Sequence, residues 1–192
     1  MTTVFFDVDT QIDFVFPAGA LYVAGAETIV DRVAGLNRYA AAHDIPVIST
    51  MDAHSENDPE FEIYPHHCVA GTVGQQKSAA TLLENRVVVP NAPCDRVAAQ
   101  ILLEKQTLDC FSNVNLPGLL QRFGAEQYVV YGVVTEICVK FAAFGLLKTG
   151  ARVQLVSDGV RALDEDAAAR MTAEFTAAGG TLTTFDRVTA TI

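Results

Sequence analysis

The chain has 192 residues, of which 50% are hydrophobic and 19% charged, so it can bury a sizeable core and is not a disordered chain. Its 23 acidic residues outnumber its 13 lysines and arginines, for a net charge of −10. That balance excludes the basic face that nucleic acids and anionic membranes select, and the length fits one domain over residues 1–192.

Residues 4–8 (VFFDV) are apolar except for Asp7 and predict a buried strand ending at Asp9. The opening run has no basic start and carries two acids, which is not the pattern of an export signal. No uncharged apolar window approaches the length of a membrane span, so a cytoplasmic protein is expected. After a Gly- and Pro-rich loop, residues 27–42 place Ile29, Val33, Leu36 and Ala40 at helical spacing. Residues 45–50 predict a second short strand, running out at Met51 and Asp52. From 53 to 76 there is no period, and a loop of that length in a compact domain is usually functional.

Residues 86–89 are strand-like, and 95–105 are compatible with helix or strand, the strand ending near Lys105 being favoured. Residues 128–134 (YVVYGVV) give the strongest strand signal in the chain. Thr135 then reads as an N-cap and Glu136 as an acid suited to the positive helix end, opening a buried helix to about Thr149. Residues 153–156 predict a strand, 164–178 a helix stopped by Gly179 and Gly180, and 181–185 a last strand. The alternation implies a three-layer α/β/α fold, with a mostly parallel central sheet and helices on both faces. No internal repeat or linker is visible.

In open α/β sheets, sites form beyond the carboxyl ends of strands, and three predicted strands end in chemistry there. Cys138 falls one turn into the helix after the strongest strand. Free N–H groups and the helix dipole favour a thiolate at that position and could hold an oxyanion. The plainer alternative is an inert packed thiol, the usual state of an intracellular cysteine. Cys68, Cys94 and Cys110 form no CxxC pair with it or each other, so all four cysteines read as thiols. Asp52 and His54 are two apart, on one side of an extended segment, and Glu60 and His67 follow in the loop. Such oxygen and nitrogen donors suit zinc, iron or manganese, while a turn aspartate with a solvated histidine is the alternative. Asp9 ends an apolar strand and so needs a partner or a task; a capping role is the alternative. Lys105 follows Ile101, Leu102 and Leu103, so its stem is partly buried unless it is an ordinary surface lysine.

Four segments then resemble one family. Asp9-Thr10-Gln11-Ile12-Asp13-Phe14 is similar to the D-x-Q-x-D-F opening of the isochorismatase-like cysteine hydrolases, which include the nicotinamidases. Met51-Asp52-Ala53-His54 with Tyr64-Pro65-His66-His67-Cys68-Val69-Ala70-Gly71-Thr72 resembles the nicotinamidase metal segment. Glu104-Lys105 stands where that family carries a catalytic lysine, and Gly132 to Val139 (GVVTEICV) resembles its nucleophile segment. The matches occur in family order and cover nearly the whole chain.

The resemblance implies an Asp-Lys-Cys triad: Cys138 as nucleophile, Asp9 as acid and base, and Lys105 as the cation that lowers the thiol pKa. It implies a cis peptide between Val133 and Val134, with the N–H groups of Val134 and Cys138 as oxyanion hole. It implies a divalent metal, zinc before iron or manganese, on Asp52, His54 and His67 with Glu60 as a fourth ligand; His66 is the alternative to His67. Phe14 and Tyr64 would line the substrate pocket, and Asp13 would hydrogen-bond the active-site loop. The implied reaction is hydrolysis of nicotinamide or a related small carboxamide to the acid and ammonia through a Cys thioester. An isochorismatase-type or carbamoyl- or ureido-amide hydrolase is the alternative, and a non-catalytic α/β binding module the second. Members of the superfamily commonly form dimers or tetramers, so a homo-oligomer is expected.

Overall fold

Strands alternate with helices along the chain in the computed structural model, which describes residues 2–190. The strands are β1 (Thr3–Val8), β2 (Val47–Asp52), β3 (Arg86–Val89), β4 (Gln100–Lys105), β5 (Gln127–Val133), β6 (Arg152–Arg161) and β7 (Thr181–Thr183). They form one seven-stranded sheet in the order β3-β4-β2-β1-β5-β6-β7, and each neighbouring pair is parallel. The helices are α1 (Ile12–Val15), α2 (Val30–Ala42), α3 (Leu116–Phe123), α4 (Lys140–Leu147), α5 (Glu165–Ala177) and α6 (Phe185–Thr189). Among the described residues no helix is long and apolar enough to cross a membrane.

The two-residue period of a strand sorts the core into two layers. Val4, Phe6 and Val8 of β1, with Tyr128 and Val130 of β5, face α3, α4 and α5. Phe5 of β1, with Val129, Tyr131 and Val133 of β5, faces α2 and α6. Both faces of the central strands are therefore covered, which is why they read as continuous apolar runs.

From β1 the chain moves outward through β2 to the β3–β4 edge, then returns to β5 on the other side of β1. The carboxyl ends of β1, β2, β4 and β5 meet at that reversal. Gly132 makes the approach possible. Its φ is +119°, and a Cβ there would stand 2.0 Å from the carbonyl oxygen of Val8. The Val133–Val134 peptide that follows is cis, as the resemblance implies.

Several boundaries differ from the sequence reading. The helix expected over 27–42 starts as a 3-10 turn (Ala26–Ile29) and becomes α-helical only at Val30. The strand expected over 95–105 is confined to β4, and β6 runs five residues beyond 156. The last strand ends at Thr183, where the Thr184 hydroxyl caps α6. Thr135 is not an N-cap. It opens a turn of π-helix (Thr135–Val139) after Val134, and its hydroxyl donates to the Arg161 carbonyl at 2.9 Å. Glu136 does not serve the end of its own helix either. Its carboxylate accepts from the N–H groups of Leu163 and Asp164, tying down the connection into α5.

Candidate active site

Asp9 is the first residue beyond β1 and has φ +48°, a left-handed conformation that aspartate tolerates better than most residues. Such outliers concentrate where a side chain is being aimed. The Asp9 Oδ1 accepts from the Thr50 hydroxyl at 2.6 Å, and its N–H donates to the Thr50 carbonyl at 3.2 Å. Lys105 ends β4 in register with Asp52, which ends β2. The Lys105 ammonium lies 2.9 Å from Asp9 Oδ2, donates to Asp52 Oδ1, and stands 3.9 Å from Cys138 Sγ. Lys105 is 1% exposed, so its charge must be matched internally, and two carboxylates do so. Asp9, Lys105 and Cys138, on three different strand ends or the helix that follows, thus converge at one sheet edge.

The electrostatics differ from a lysine simply lowering a thiol. Burial pushes the Cys138 thiol well up; Lys105 opposes this, and Asp9 and Asp52 add to it. Burial thus works against the thiolate, and Lys105, 3.9 Å from the sulfur, works for it. Burial also raises Asp9, against Lys105 and helped by the charge of Asp52. Burial disfavours the Asp52 carboxylate too, but Lys105 and His54 outweigh it and hold Asp52 below its usual value. Lys105 itself is held as an ammonium: Asp52 and Asp9 outweigh its desolvation. Of the two carboxylates that share this ammonium, Asp9 is the one whose proton affinity is raised.

Beside this centre the donor atoms of Asp52, His54 and His67 all lie within 4.8 Å of one another. Asp52 Oδ2 is 3.8 Å from His54 Nε2 and 3.9 Å from His67 Nε2. Glu60 Oε1 is 4.0 Å and 3.7 Å from the same two nitrogens. Ligand bonds of about 2.0–2.2 Å put tetrahedral donor atoms about 3.4 Å apart, so a small contraction would close this cluster on a cation. Both ring nitrogens of His54 are buried without a hydrogen-bond partner among the described residues, and it is Nε2 that faces the other donor atoms. Burial and the nearby Asp52 raise the Glu60 carboxyl, a repulsion that a cation would relieve. Burial keeps His67 on the neutral, ligating side. His66 is exposed and stacks on Phe61 with ring centroids 4.3 Å apart, so His67 is the inward histidine of the pair.

A small pocket opens onto both groups. Its walls are Phe14, Leu21, Tyr64, Leu108, Ile137 and Leu163, and its polar floor holds Asp9, Asp52, Glu60, His67 and Cys138. No arginine or lysine is in that lining. Phe14 and Tyr64 both reach it, and each packs a ring against His67, at 5.3 Å and 6.4 Å.

Asp13 serves the surrounding loops: its carboxylate accepts from the N–H groups of Ala20 and Cys68, the latter adjoining His67. Gly74 packs so close that a Cβ would stand 2.2 Å from Asp13 Oδ2. Gln11 carries a role that the residue pattern does not announce. Its amide accepts from Asp52 N–H at 2.7 Å and donates to the carbonyls of Asp52 and Gln75 at 2.9 and 2.7 Å. It fixes the backbone of Asp52 as a neighbouring strand would. A buried amide two residues beyond a strand end was the available signal. All four cysteines are free, and burial pushes the Cys68 and Cys110 thiols up.

Comparison with known proteins places these features in a family. A family model described as Isochorismatase domain matches residues 3–187. The nicotinamidase of Acinetobacter baylyi is 25% identical over 189 residues, covering 82% of this chain and 80% of its own. The maleamate amidohydrolase of Pseudomonas putida is 27% identical over 158 residues, covering 80% of this chain and 69% of its own. Among solved structures, the pyrazinamidase of Pyrococcus horikoshii in complex with zinc superposes with a TM-score of 0.83 at 25% identity, over 96% of this chain and 99% of that one. A parallel α/β sheet whose strand ends gather a buried Asp, Lys and Cys, read with a family match over nearly its whole length, makes this chain a member of the isochorismatase family of hydrolases.

Proposed function

We propose that the chain is a metal-containing cysteine amidohydrolase that converts a small uncharged carboxamide, nicotinamide or a close relative, to the acid and ammonia. The observation that carries this reading is the meeting of Asp9, Lys105 and Cys138 beside a pocket that Asp9 and Cys138 line together with Asp52, Glu60 and His67, next to which His54 completes the donor cluster.

The reaction follows from that arrangement. Asp9 takes the Cys138 thiol proton as the sulfur attacks the amide carbonyl carbon, forming the C–S bond. The N–H groups of Val134 and Cys138 receive the developing oxyanion. The C–N bond breaks as Asp9 returns the proton to the leaving nitrogen, which departs as ammonia. A water then gives a proton to Asp9 and attacks the thioester carbon. The acid is released and the sulfur recovers the proton from Asp9. Lys105 keeps the Asp9–Asp52 pair from accumulating uncompensated negative charge through both halves. Asp52, His54 and His67, with Glu60, would hold the divalent cation, zinc before iron or manganese; bound there, it supplies a Lewis acid for water and for a heteroaromatic ring nitrogen.

The same pocket sorts substrates by charge. Similarity to a maleamate amidohydrolase and the carbamoyl-amide alternative both raise anionic substrates. A second carboxylate in this pocket would face Asp9, Asp52 and Glu60 with no arginine or lysine in the walls to receive it. Those carboxylates disfavour an anionic substrate except where the proposed cation and Lys105 offset them, so the reading expects the uncharged amide to be preferred. The test is ammonia release by the purified protein from nicotinamide, maleamate and N-carbamoyl amino acids, with metal content measured on the same sample. Turnover dominated by nicotinamide supports the reading. Preference for either anionic substrate, in metal-loaded protein, overturns it.

A further inference from the structure

One carboxylate outside the proposed ligand set touches two members of it. Asp58 begins the short turn Pro59–Glu62, where its Oδ1 accepts from the Glu60 N–H at 3.0 Å. Its Oδ2 lies 3.1 Å from His54 Nδ1, a contact close enough for an ion pair that becomes a hydrogen bond with a small turn of the ring or the carboxylate. The opposite nitrogen of that ring, Nε2, faces Asp52 Oδ2 and Glu60 Oε1. His54 is fully buried and packs edge-on against Phe61 and His67, so its ring plane is fixed by contacts on both sides.

We propose that Asp58 is a positioning residue that places the His54 proton on Nδ1, leaves the Nε2 lone pair for the cation, and with its other oxygen sets the turn carrying Glu60. The inference rests on the metal site proposed above and adds the group that aims it. The chemistry is general: an imidazole donates through one nitrogen only by giving up the proton there, and an acceptor at the other nitrogen decides which tautomer persists. A carboxylate is an acceptor only, so at Nδ1 it selects the Nδ1–H tautomer. Placed four residues after His54, Asp58 reaches the ring through the tight turn at Ser55, whose carbonyl accepts from the Asp58 N–H at 3.2 Å. Neither role falls on a residue of the triad or of the pocket wall.

Asp58→Asn and Asp58→Ala separate the two contacts. Asparagine keeps an oxygen for the Glu60 N–H but turns a donor toward Nδ1, which favours the wrong tautomer. Alanine removes both contacts. The measurement is zinc affinity of the full chain by competition with a chromophoric chelator, with thermal melting to confirm folding. Nitrogen-15 NMR of the zinc-loaded protein reads the His54 tautomer. The expected result is a loss of about 10- to 100-fold in zinc affinity for Asp58→Asn and at least as much for Asp58→Ala, with a proton on His54 Nδ1 in the wild type. Wild-type affinity in Asp58→Asn with a loss only in Asp58→Ala reduces Asp58 to a turn cap and overturns the inference. Unchanged affinity in both variants, or a wild-type His54 bound through Nδ1, overturns it too. A wild-type chain with no measurable zinc affinity is a different result: it removes the proposed metal site itself and the inference with it.

Discussion

Two lysines are buried in this molecule, and they are surrounded in opposite ways. Lys77 lies 3.3 Å from Asp7 Oδ1 and donates to the Thr50 carbonyl at 2.9 Å. Asp7 also accepts from Thr10, Asn37 and Ser49, and the network closes through Tyr131 and Gln100. One cation meets one anion, and the anion's oxygens are supplied with donors. Lys105 instead meets two carboxylates and a thiol, and Asp9 and Cys138 open onto the pocket. Both lysines bridge toward the same strand, β2, one at Thr50 and the other at Asp52. A saturated buried pair holds backbone in place; an unbalanced one beside a cavity leaves a proton free to move.

The largest effects are expected around Lys105, where the charges open onto the pocket. Cys138→Ala is expected to lower kcat/KM by about 10⁴-fold or more while the fold persists, since the nucleophile is lost and only a small cavity is made. Steady-state ammonia release and thermal melting check the two halves of that statement. Asp9→Asn removes the proton acceptor and is expected to cost about 10²–10⁴-fold, measured as kcat at saturating substrate. The pH profile sharpens the same point. Asp9 must be ionised to accept the proton, and burial with Asp52 raises its pKa above the ordinary 3.8. Activity is therefore present above that raised value and lost as pH falls through it, so the acid limb of kcat/KM lies above the ordinary aspartate range. An acid limb at or below that range would mean Asp9 is not the base.

At the saturated end the expected effect moves from rate to stability. Lys77→Met leaves Asp7 as an unpaired buried charge and is expected to cost about 3–5 kcal/mol of folding stability, read by denaturant unfolding. Rate per folded molecule should fall far less than in the Asp9 variant. Gln11→Ala is expected to be milder, about 1–3 kcal/mol, because it strands buried backbone groups at Asp52 and Gln75 without stranding a charge.

The strand ends were legible in the sequence because β1 and β5 alternate cleanly between two apolar faces, and because parallel sheets gather strand termini at one edge. That logic, with the resemblance, brought Asp9, Asp52, Lys105 and Cys138 together correctly. Where the reading failed, the cause is physical. α3 was not predicted because Pro117 and Gly118 stand in its first turn, where they are tolerated but break the apparent period. Thr135 mimicked an N-cap but bonds to Arg161, on a strand that joins it only in three dimensions. Lys105 does lower the Cys138 thiol, while the burial and the two carboxylates that oppose it, Asp9 and Asp52, come from segments remote in sequence and leave no local signal. Gln11 stands in the D-x-Q-x-D-F segment, but its role and that of Asp58 are not legible there, because each acts on a backbone amide or on one ring nitrogen and neither partner is encoded by a spacing.

The central claim is that Cys138 carries the acyl group of an uncharged amide. Acid-quenching the protein during turnover of nicotinamide and mass-analysing its peptides tests this most directly. A nicotinoyl adduct confined to the Cys138 peptide, absent in Cys138→Ala, is the predicted result. Undiminished ammonia release by Cys138→Ala, with no adduct on the wild type, would contradict it.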